Sequence, residues 1–440
     1  MSMIDTAIGI VDWLATSIVN TNYGKFVRER LRVSNKTWFE VYRTDCNIES
    51  AYAFLLAWKH TEEQRYLQVA RELYAGVKAL QQEDGSVWRR TDSDTCYISG
   101  CSKVAVNLFR MAEIDTEYAN EYRKTAIKVT DWLITIQNDN GGLPRSTTHA
   151  SYTACFTAHA VSALSMAYRY TTRKSVYLEA ITKAVTFIVE KVKDDNMITL
   201  MGASEAQRPP SSDQGIVIRG LAHVELYVPN NKLAVICHET RLRLLSWFTP
   251  LLTDEGALRN GYGIGANGAD VATITDYVYS VPFSVEAFYY SAIVDGDKTN
   301  LVNAMKLIRF SQGNVYYSQH TELNGVLRGA FELENRNWDT SAAAMDSGEQ
   351  GGGNMIYTGW TNAPMAAHFF NFSSLIENGD ILSVATDMKI ERFLPDDNGA
   401  LQICIARKVI KFPLVHDVSA STSAVKLYVN GRKYALSHLV

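Results

Sequence analysis

QQEDGSVW (81–88), QNDNGGLP (137–144), LTDEGALR (252–259) and TELNGVLR (321–328) share one pattern. Each is a polar run that turns on a glycine and returns to apolar residues, and each comes after a long segment with helical apolar spacing. The interval from Gly141 to Gly256 is about twice that from Gly85 to Gly141, so a turn without glycine is expected midway, at Asp194-Asp195-Asn196. A period of roughly 55–60 residues exceeds most solenoid repeats and suits one pair of helices plus a long loop.

Around these turns, apolar periodicity predicts twelve helices, over 4–20, 47–59, 62–82, 97–112, 117–137, 152–171, 174–192, 214–227, 231–249, 276–294, 297–312 and 353–373. The links alternate between short (60–61, 113–116, 172–173, 228–230, 295–296) and long (21–46, 83–96, 138–151, 193–213, 250–275, 313–352). Short links make antiparallel neighbours, and unstructured links of the longer kind are usually functional. The reading is therefore mainly α: an (α/α)6 toroid of six helical hairpins over 1–377, with every long loop on one face. The inner ring is assigned to the helices that follow long loops. They are rich in Ala, Ser and aromatic residues, as in SYTACFTAHAVSALSMAY (151–168), whereas KSVYLEAITKAVTFIVEKV (174–192) is amphipathic as an outer helix should be. Residues 378–440 read as a small antiparallel β appendage, because Asn430-Gly431 sits between two strand-like runs and GALQICIARKVIKF (399–412) is another.

The 440 residues carry 47% hydrophobic side chains and a net charge of -4, which suits a globular core and argues against a nucleic-acid partner. Six cysteines without CxxC spacing point to a reduced environment. The N-terminus has no basic segment and carries Asp5 and Asp12, so a signal peptide is not expected, and no run is long enough to span a membrane. A cytoplasmic or virion-associated location follows, with homo-oligomer or virion assembly as further options.

The segment SSDQGIVIRGLAHVELY (211–227) resembles the Trp-Ser-Arg-Gly-Gln-Ala-Trp stretch of unsaturated glucuronyl hydrolases, with Arg219, Gly220 and Ala222 matching and Ile218 and His223 departing. The whole pattern to about residue 375 is similar to the (α/α)6 toroid enzymes that act on carbohydrates: those hydrolases, polysaccharide lyases and sugar epimerases. The resemblance implies action on an acidic, uronate-containing oligo- or polysaccharide, by β-elimination or hydrolysis. Two other toroids compete. QQEDGSVW with Asp92-Ser93-Asp94 looks like motifs of terpene cyclases, and Cys237-His238 is superficially similar to the zinc site of lanthionine cyclases. A non-catalytic glycan-binding or virion-structural toroid is a third reading.

Helix N-termini carry positive partial charge and free N–H groups, so a site for an acidic sugar is sought where long loops meet inner helices. Catalytic candidates there are Asp213, His149, Tyr152 and Asp94. Arg219, Arg145 and Arg328 could clamp a carboxylate, and Trp88, Tyr97, Tyr262, Asp276 and Trp360 could contact sugar rings or hydroxyls. His149 and His159 are not spaced for one helical face. No metal or cofactor is expected.

Overall fold

The computed structural model describes residues 2–198, 210–262, 271–296, 298–338 and 352–377, and strands within 383–435. Among the described residues twelve helices occur: α1 Met3–Thr16, α2 Thr44–Thr61, α3 Gln64–Ala79, α4 Ile98–Ile114, α5 Ala119–Thr135, α6 Ala154–Tyr168, α7 Lys174–Val189, α8 Pro210–Tyr227, α9 Asn231–Phe248, α10 Val281–Asp295, α11 Lys298–Gly313 and α12 Ala363–Glu377. Consecutive helices from α2 to α11 pack in pairs, and α12 packs on α1, so the first helix of the chain completes the last pair. The inner members touch in sequence around the ring, from α2 through α4, α6, α8, α10 and α12 back to α2. This is the (α/α)6 toroid.

Burial explains why inner and outer sequences differ. Every residue of α2 from Thr44 to Ala57 is buried, as is every residue of α6 from Ala154 to Ala167, whereas α3 buries only a stripe led by Tyr66, Ala70, Leu73 and Val77. An inner helix is covered by two ring neighbours and its partner, so it loses the one-sided apolar stripe of a surface helix. Small residues allow the close approach this needs: a Cβ on Gly220 of α8 would lie 2.9 Å from the Ala158 carbonyl oxygen of α6.

The recurring turns share one hydrogen-bond pattern. The N–H of Gln82 donates to the Ser86 carbonyl and that of Gly85 to Gln82. Asn138/Gly142 with Gly141/Asn138, Lys193/Met197 with Asn196/Lys193, and Thr253/Ala257 with Gly256/Thr253 repeat it, all at 2.8–3.0 Å. Gly85, Gly141 and Gly256 have φ of +96°, +89° and +94°, and Asn196 takes +65°, so Asp194-Asp195-Asn196 is the expected glycine-free member. Each glycine turn seats on the next outer helix. A Cβ at Gly85 or Gly141 would stand 2.1 Å from the carbonyl oxygen of Lys128 or Lys183, and one at Gly256 would stand 2.3 Å from that of Lys306. Both the backbone angle and the space therefore demand glycine. The fourth sequence motif is not a member: Gly325 donates to the Tyr316 carbonyl at 2.7 Å after a 3₁₀ turn, and its Cβ would meet nothing within 4 Å.

The long connections share one face and zip together. β3 (Arg30–Arg32) pairs with β4 (Thr37–Trp38) and with β10 (Met355–Tyr357) just before α12. β5 (Pro144–Ser146) and β6 (His149–Tyr152) form a hairpin before α6, and β7 (Ile274–Asp276) pairs with β8 (Ala330–Glu332), which pairs with β9 (Asn337–Trp338). The expected start of the last helix at 353 is thus corrected to Ala363: Met355–Tyr357 is claimed as a strand by β3, and a π-helical turn, Thr358–Asn362, follows. The first helix likewise stops at Thr16, because Ile18–Thr21 (β1) and Gly24–Val27 (β2) form a hairpin.

Toward the C-terminus, β12 (Ile390–Pro395), β13 (Leu401–Ile405) and β14 (Lys408–Phe412) form an antiparallel meander. β15 (Lys426–Val429) and β16 (Arg432–Ala435) form the hairpin expected around Asn430-Gly431, and β11 (Ser383–Val384) joins β15 in parallel, a departure from the all-antiparallel expectation.

Candidate active site

The inner helices surround a cavity of about 850 Å³, its volume including the part open to solvent. Its walls follow helical spacing: Glu49 and Tyr52 on α2, Lys103, Asn107 and Arg110 on α4, Arg219 on α8, Phe283, Glu286, Tyr289 and Tyr290 on α10, and Trp360, His368 and Asn371 at α12. Steps of three and four residues put each set on one helix face. The lining is polar and aromatic, which suits a hydroxylated ligand better than an isoprenoid chain.

Charge is arranged in three groups. Glu286 accepts from Arg110 at 2.7 Å and from Arg219 at 2.8 Å, all three side chains nearly buried. Burial alone would raise the Glu286 carboxyl, but the two guanidiniums outweigh it and hold the pKa well below the usual range. Arg219 also approaches His159 Nδ1 at 3.2 Å. In the second group, Glu49 Oε1 takes Lys103 Nζ at 3.0 Å, while the buried Glu49 Oε2 has no hydrogen-bond partner. Burial pushes the Glu49 pKa up to about 7 against the pull of Lys103, with Asp45 and Glu286 adding to the rise. The third group lies toward the loops. Arg43 binds Asp45 bidentately at 2.9 and 2.7 Å, and Asp45 accepts from Trp360 Nε1 at 3.1 Å.

His368 Nε2 lies 3.0 Å from the Pro282 carbonyl. A carbonyl only accepts, so Nε2 carries the proton and Nδ1 is the acceptor. Burial, helped by Arg110 and opposed by Glu286, lowers the His368 pKa to about 4, leaving the ring neutral at pH 7. Phe283 faces two cations, with Lys103 Nζ 5.1 Å and Arg219 Cζ 4.8 Å from its ring centre.

Of the residues singled out from the sequence, Arg219 and Trp360 line this cavity. Asp213 is buried in the first turn of α8, and Asp276 is buried at the end of β7 with its carboxylate accepting from the N–H groups of Val278 and Tyr279 in the turn that follows. His149 and Tyr152 lie on the exposed strand β6, and Asp94 is exposed in the loop before α4. Tyr97 stacks under Arg89, 4.1 Å away, with Arg145 at 5.8 Å. Arg328 covers the Tyr316 ring at 4.1 Å, Tyr262 meets Trp247 edge-on, and Trp88 packs against the core. Arg219 thus lines the cavity without Asp213 or His149. Sequence reasoning missed Glu49, Lys103, Arg110, Glu286 and His368, which lie inside helices rather than at their ends. The available signal was a charged residue every third or fourth position in otherwise small, apolar inner helices.

At the opposite end, Glu225, His238 and Asp295 offer atoms within 4.8 Å of one another. Arg241 already fills the space between the carboxylates, at 2.7 Å from Glu225 and 2.8 Å from Asp295. The neighbouring Cys237 is buried, its thiol pushed up by burial. No helix of the described residues is long and apolar enough to cross a membrane.

No known protein-family model and no curated protein matches the sequence. Solved structures do match. A D-mannose isomerase is 13% identical with a TM-score of 0.61, covering 85% of this chain and 97% of its own. A cellobiose 2-epimerase from Bacillus thermoamylovorans is 11% identical, TM-score 0.60, covering 85% and 99%. An inactive variant of an α-1,6-mannanase from Salegentibacter sp., in complex with α-1,6-mannotriose, is 12% identical, TM-score 0.57, covering 85% and 100%. At such identities the likeness is one of fold.

Proposed function

We propose that the chain is a carbohydrate-active enzyme that holds a saccharide in the axial cavity and removes a proton from a carbon next to its carbonyl or carboxyl group. Epimerisation, isomerisation and β-elimination from a uronate all begin with this step. The observation that carries the reading is Glu49: a carboxyl at the cavity wall, one oxygen held by Lys103, the other unpartnered, and a pKa near neutrality. A group that is half ionised at working pH both takes and returns protons efficiently. Lys103 and Arg219, gathered around Phe283, would balance the charge that develops on the substrate oxygen, and the neutral His368 offers Nδ1 as a second proton acceptor. Tyr52, Tyr289 and Trp360 supply faces on which sugar rings stack.

Hydrolysis by a carboxylate pair is supported less well. It needs a second free carboxyl, and Glu286 is locked between two guanidiniums. An acidic saccharide suits the wall, which carries three cations, Lys103, Arg110 and Arg219, against two carboxylates, Glu49 and Glu286. A purely glycan-binding role would leave Glu49 without a task. The division of the chain at 377/378 into toroid and β appendage belongs to the same proposal.

The test is solvent exchange. Incubated in D₂O with aldoses, a β-1,4-disaccharide and an oligouronate, the protein should place deuterium on a sugar carbon or yield an unsaturated product absorbing near 235 nm. Glu49→Gln should slow this by roughly 10²–10⁴-fold. Full activity in that variant would overturn the assignment.

A further inference from the structure

The loops on the cavity side are joined edge to edge by backbone hydrogen bonds. Thr44 N–H donates to the Arg89 carbonyl at 3.0 Å, Arg89 N–H to Thr95 at 2.8 Å, and Thr147 N–H to Cys96 at 3.0 Å, with Tyr97 bridged to Ser146. This zipper sets Arg43, Arg89, Tyr97 and Arg145 in a row, although they come from three different hairpins. Arg43 is matched by Asp45 and Glu29. Arg89 is not matched: among the described residues no carboxylate lies within 4 Å of it, its buried Nε has no hydrogen-bond partner, and its guanidinium rests on the Tyr97 ring. Asp45 and Glu29 attract it only from a distance, because both are held by Arg43. Asp92 pairs with Arg90, and Asp94 is exposed without an ion pair.

A mostly buried guanidinium beside a second one, with no counter-charge of its own, is an unfavourable arrangement. Burial, with Arg43 adding repulsion, lowers the Arg89 pKa against the weaker pull of Tyr97, Asp45 and Glu29. Such an arrangement persists where a ligand completes it. The row also adjoins the cavity. Arg43 stacks on Trp360 at 4.2 Å, and Trp360 is part of the wall. Tyr97 caps α4, and Lys103 lies six residues further, about 9 Å along the axis.

From this juxtaposition we infer that Arg89, with Arg145 across Tyr97, forms an oxyanion subsite at the cavity mouth, so that the substrate is a sugar bearing a carboxylate or phosphate remote from the reacting carbon. The inference rests on the axial cavity being the saccharide site. A guanidinium presents paired N–H donors that fit a carboxylate or phosphate in bidentate fashion, and the Tyr97 face keeps the Arg89 plane oriented for that contact.

Calorimetric titration of the intact protein with glucuronate, glucose 6-phosphate and glucose tests it. Tighter binding of one or both anionic sugars than of glucose, weakening as salt rises, is expected. Arg89→Gln should weaken the anionic sugars at least about tenfold and leave glucose unchanged, with Arg89→Lys intermediate. The anion that loses more identifies the natural group. Equal weakening of all three sugars, or a wild type that does not prefer anions, would overturn the subsite. Glu49→Gln separates the two proposals. If it and the wild type both bind anions through Arg89 while no sugar exchanges deuterium, the subsite stands and the proton chemistry falls. If exchange is confined to neutral sugars and unaffected by Arg89→Gln, the proton chemistry stands and the subsite falls.

Discussion

Replacing Glu286 with Gln removes one negative charge from between two buried guanidiniums while keeping the side chain's shape. Arg110 and Arg219 approach Glu286 at 2.7 and 2.8 Å, and the three side chains are 9%, 5% and 11% exposed. Without the carboxylate the two like charges are left facing each other, a repulsion on the order of 3–4 kcal/mol for unit charges about 4–5 Å apart at an effective dielectric constant near 20. Breaking a buried pair by removing one partner costs about 3–5 kcal/mol, so the two routes agree. Urea denaturation should show a fall of that size with an unchanged slope, and melting should come several degrees lower. The combined Arg110→Met, Glu286→Leu, Arg219→Met variant should recover most of the loss, because no charge is left buried alone. The sign with pH follows from the depressed carboxyl. Its stabilisation is present above the unfolded-state value of about 4.5 and is lost as pH falls toward the folded one, so wild type and Glu286→Gln should converge in acid. A loss under about 1 kcal/mol at pH 7, or a triple variant as weak as the single one, would refute the claim that this cluster is desolvated.

Three further outcomes are expected. Glu49 has a raised pKa, so its contribution is full below about 4.5 and disappears as pH rises through about 7. Unfolding measured from pH 5 to 9 should therefore show Glu49→Gln gaining on wild type by up to about 3 kcal/mol, and a parallel pair of curves would contradict the shift. Gly141→Ala must push a methyl to 2.1 Å from the Lys183 carbonyl and should cost several kcal/mol, whereas Gly325→Ala meets open space and should cost only the positive-φ strain of about 1–2 kcal/mol. Equal melting temperatures for the two would show that the turns do not seat on the outer helices as described. Asp213→Asn, away from the cavity wall, should leave turnover intact where Glu49→Gln slows it by roughly 10²–10⁴-fold, and a loss in both would return Asp213 to the reaction.

The helical frame was legible because its signals are local. Gly85, Gly141 and Gly256 announce turns by residue type, and the apolar stripe of α7 shows which face is covered. Asn196 could be placed without a glycine because spacing alone demanded a turn there. What failed is what depends on distant partners. Met355-Ile356-Tyr357 reads as the start of a helix until β3 from the N-terminal loop pairs with it. Glu286 and Arg110 come from helices far apart in sequence and meet only when the ring closes, so their linkage leaves no local trace. The candidates placed at helix ends include His149 and Asp94, which are exposed. The charged residues that line the cavity sit in the middle of inner helices, where a buried charge survives only with a partner or a task.

The pairing of α12 with α1 sets a schedule for synthesis. Met3, Ala7, Ile10, Val11 and Leu14 form the apolar stripe of α1 and are fully buried once folding is complete, yet the helix that takes the closing place beside it is made more than three hundred residues later. At about 5–20 residues per second, that stripe waits on the order of half a minute after leaving the ribosome. During that interval the growing arc has two open ends, one of them greasy and waiting. Production of this chain should accordingly depend on a holding chaperone that binds its first twenty or so residues, and a permuted gene that places α1 directly after α12 should reduce that dependence.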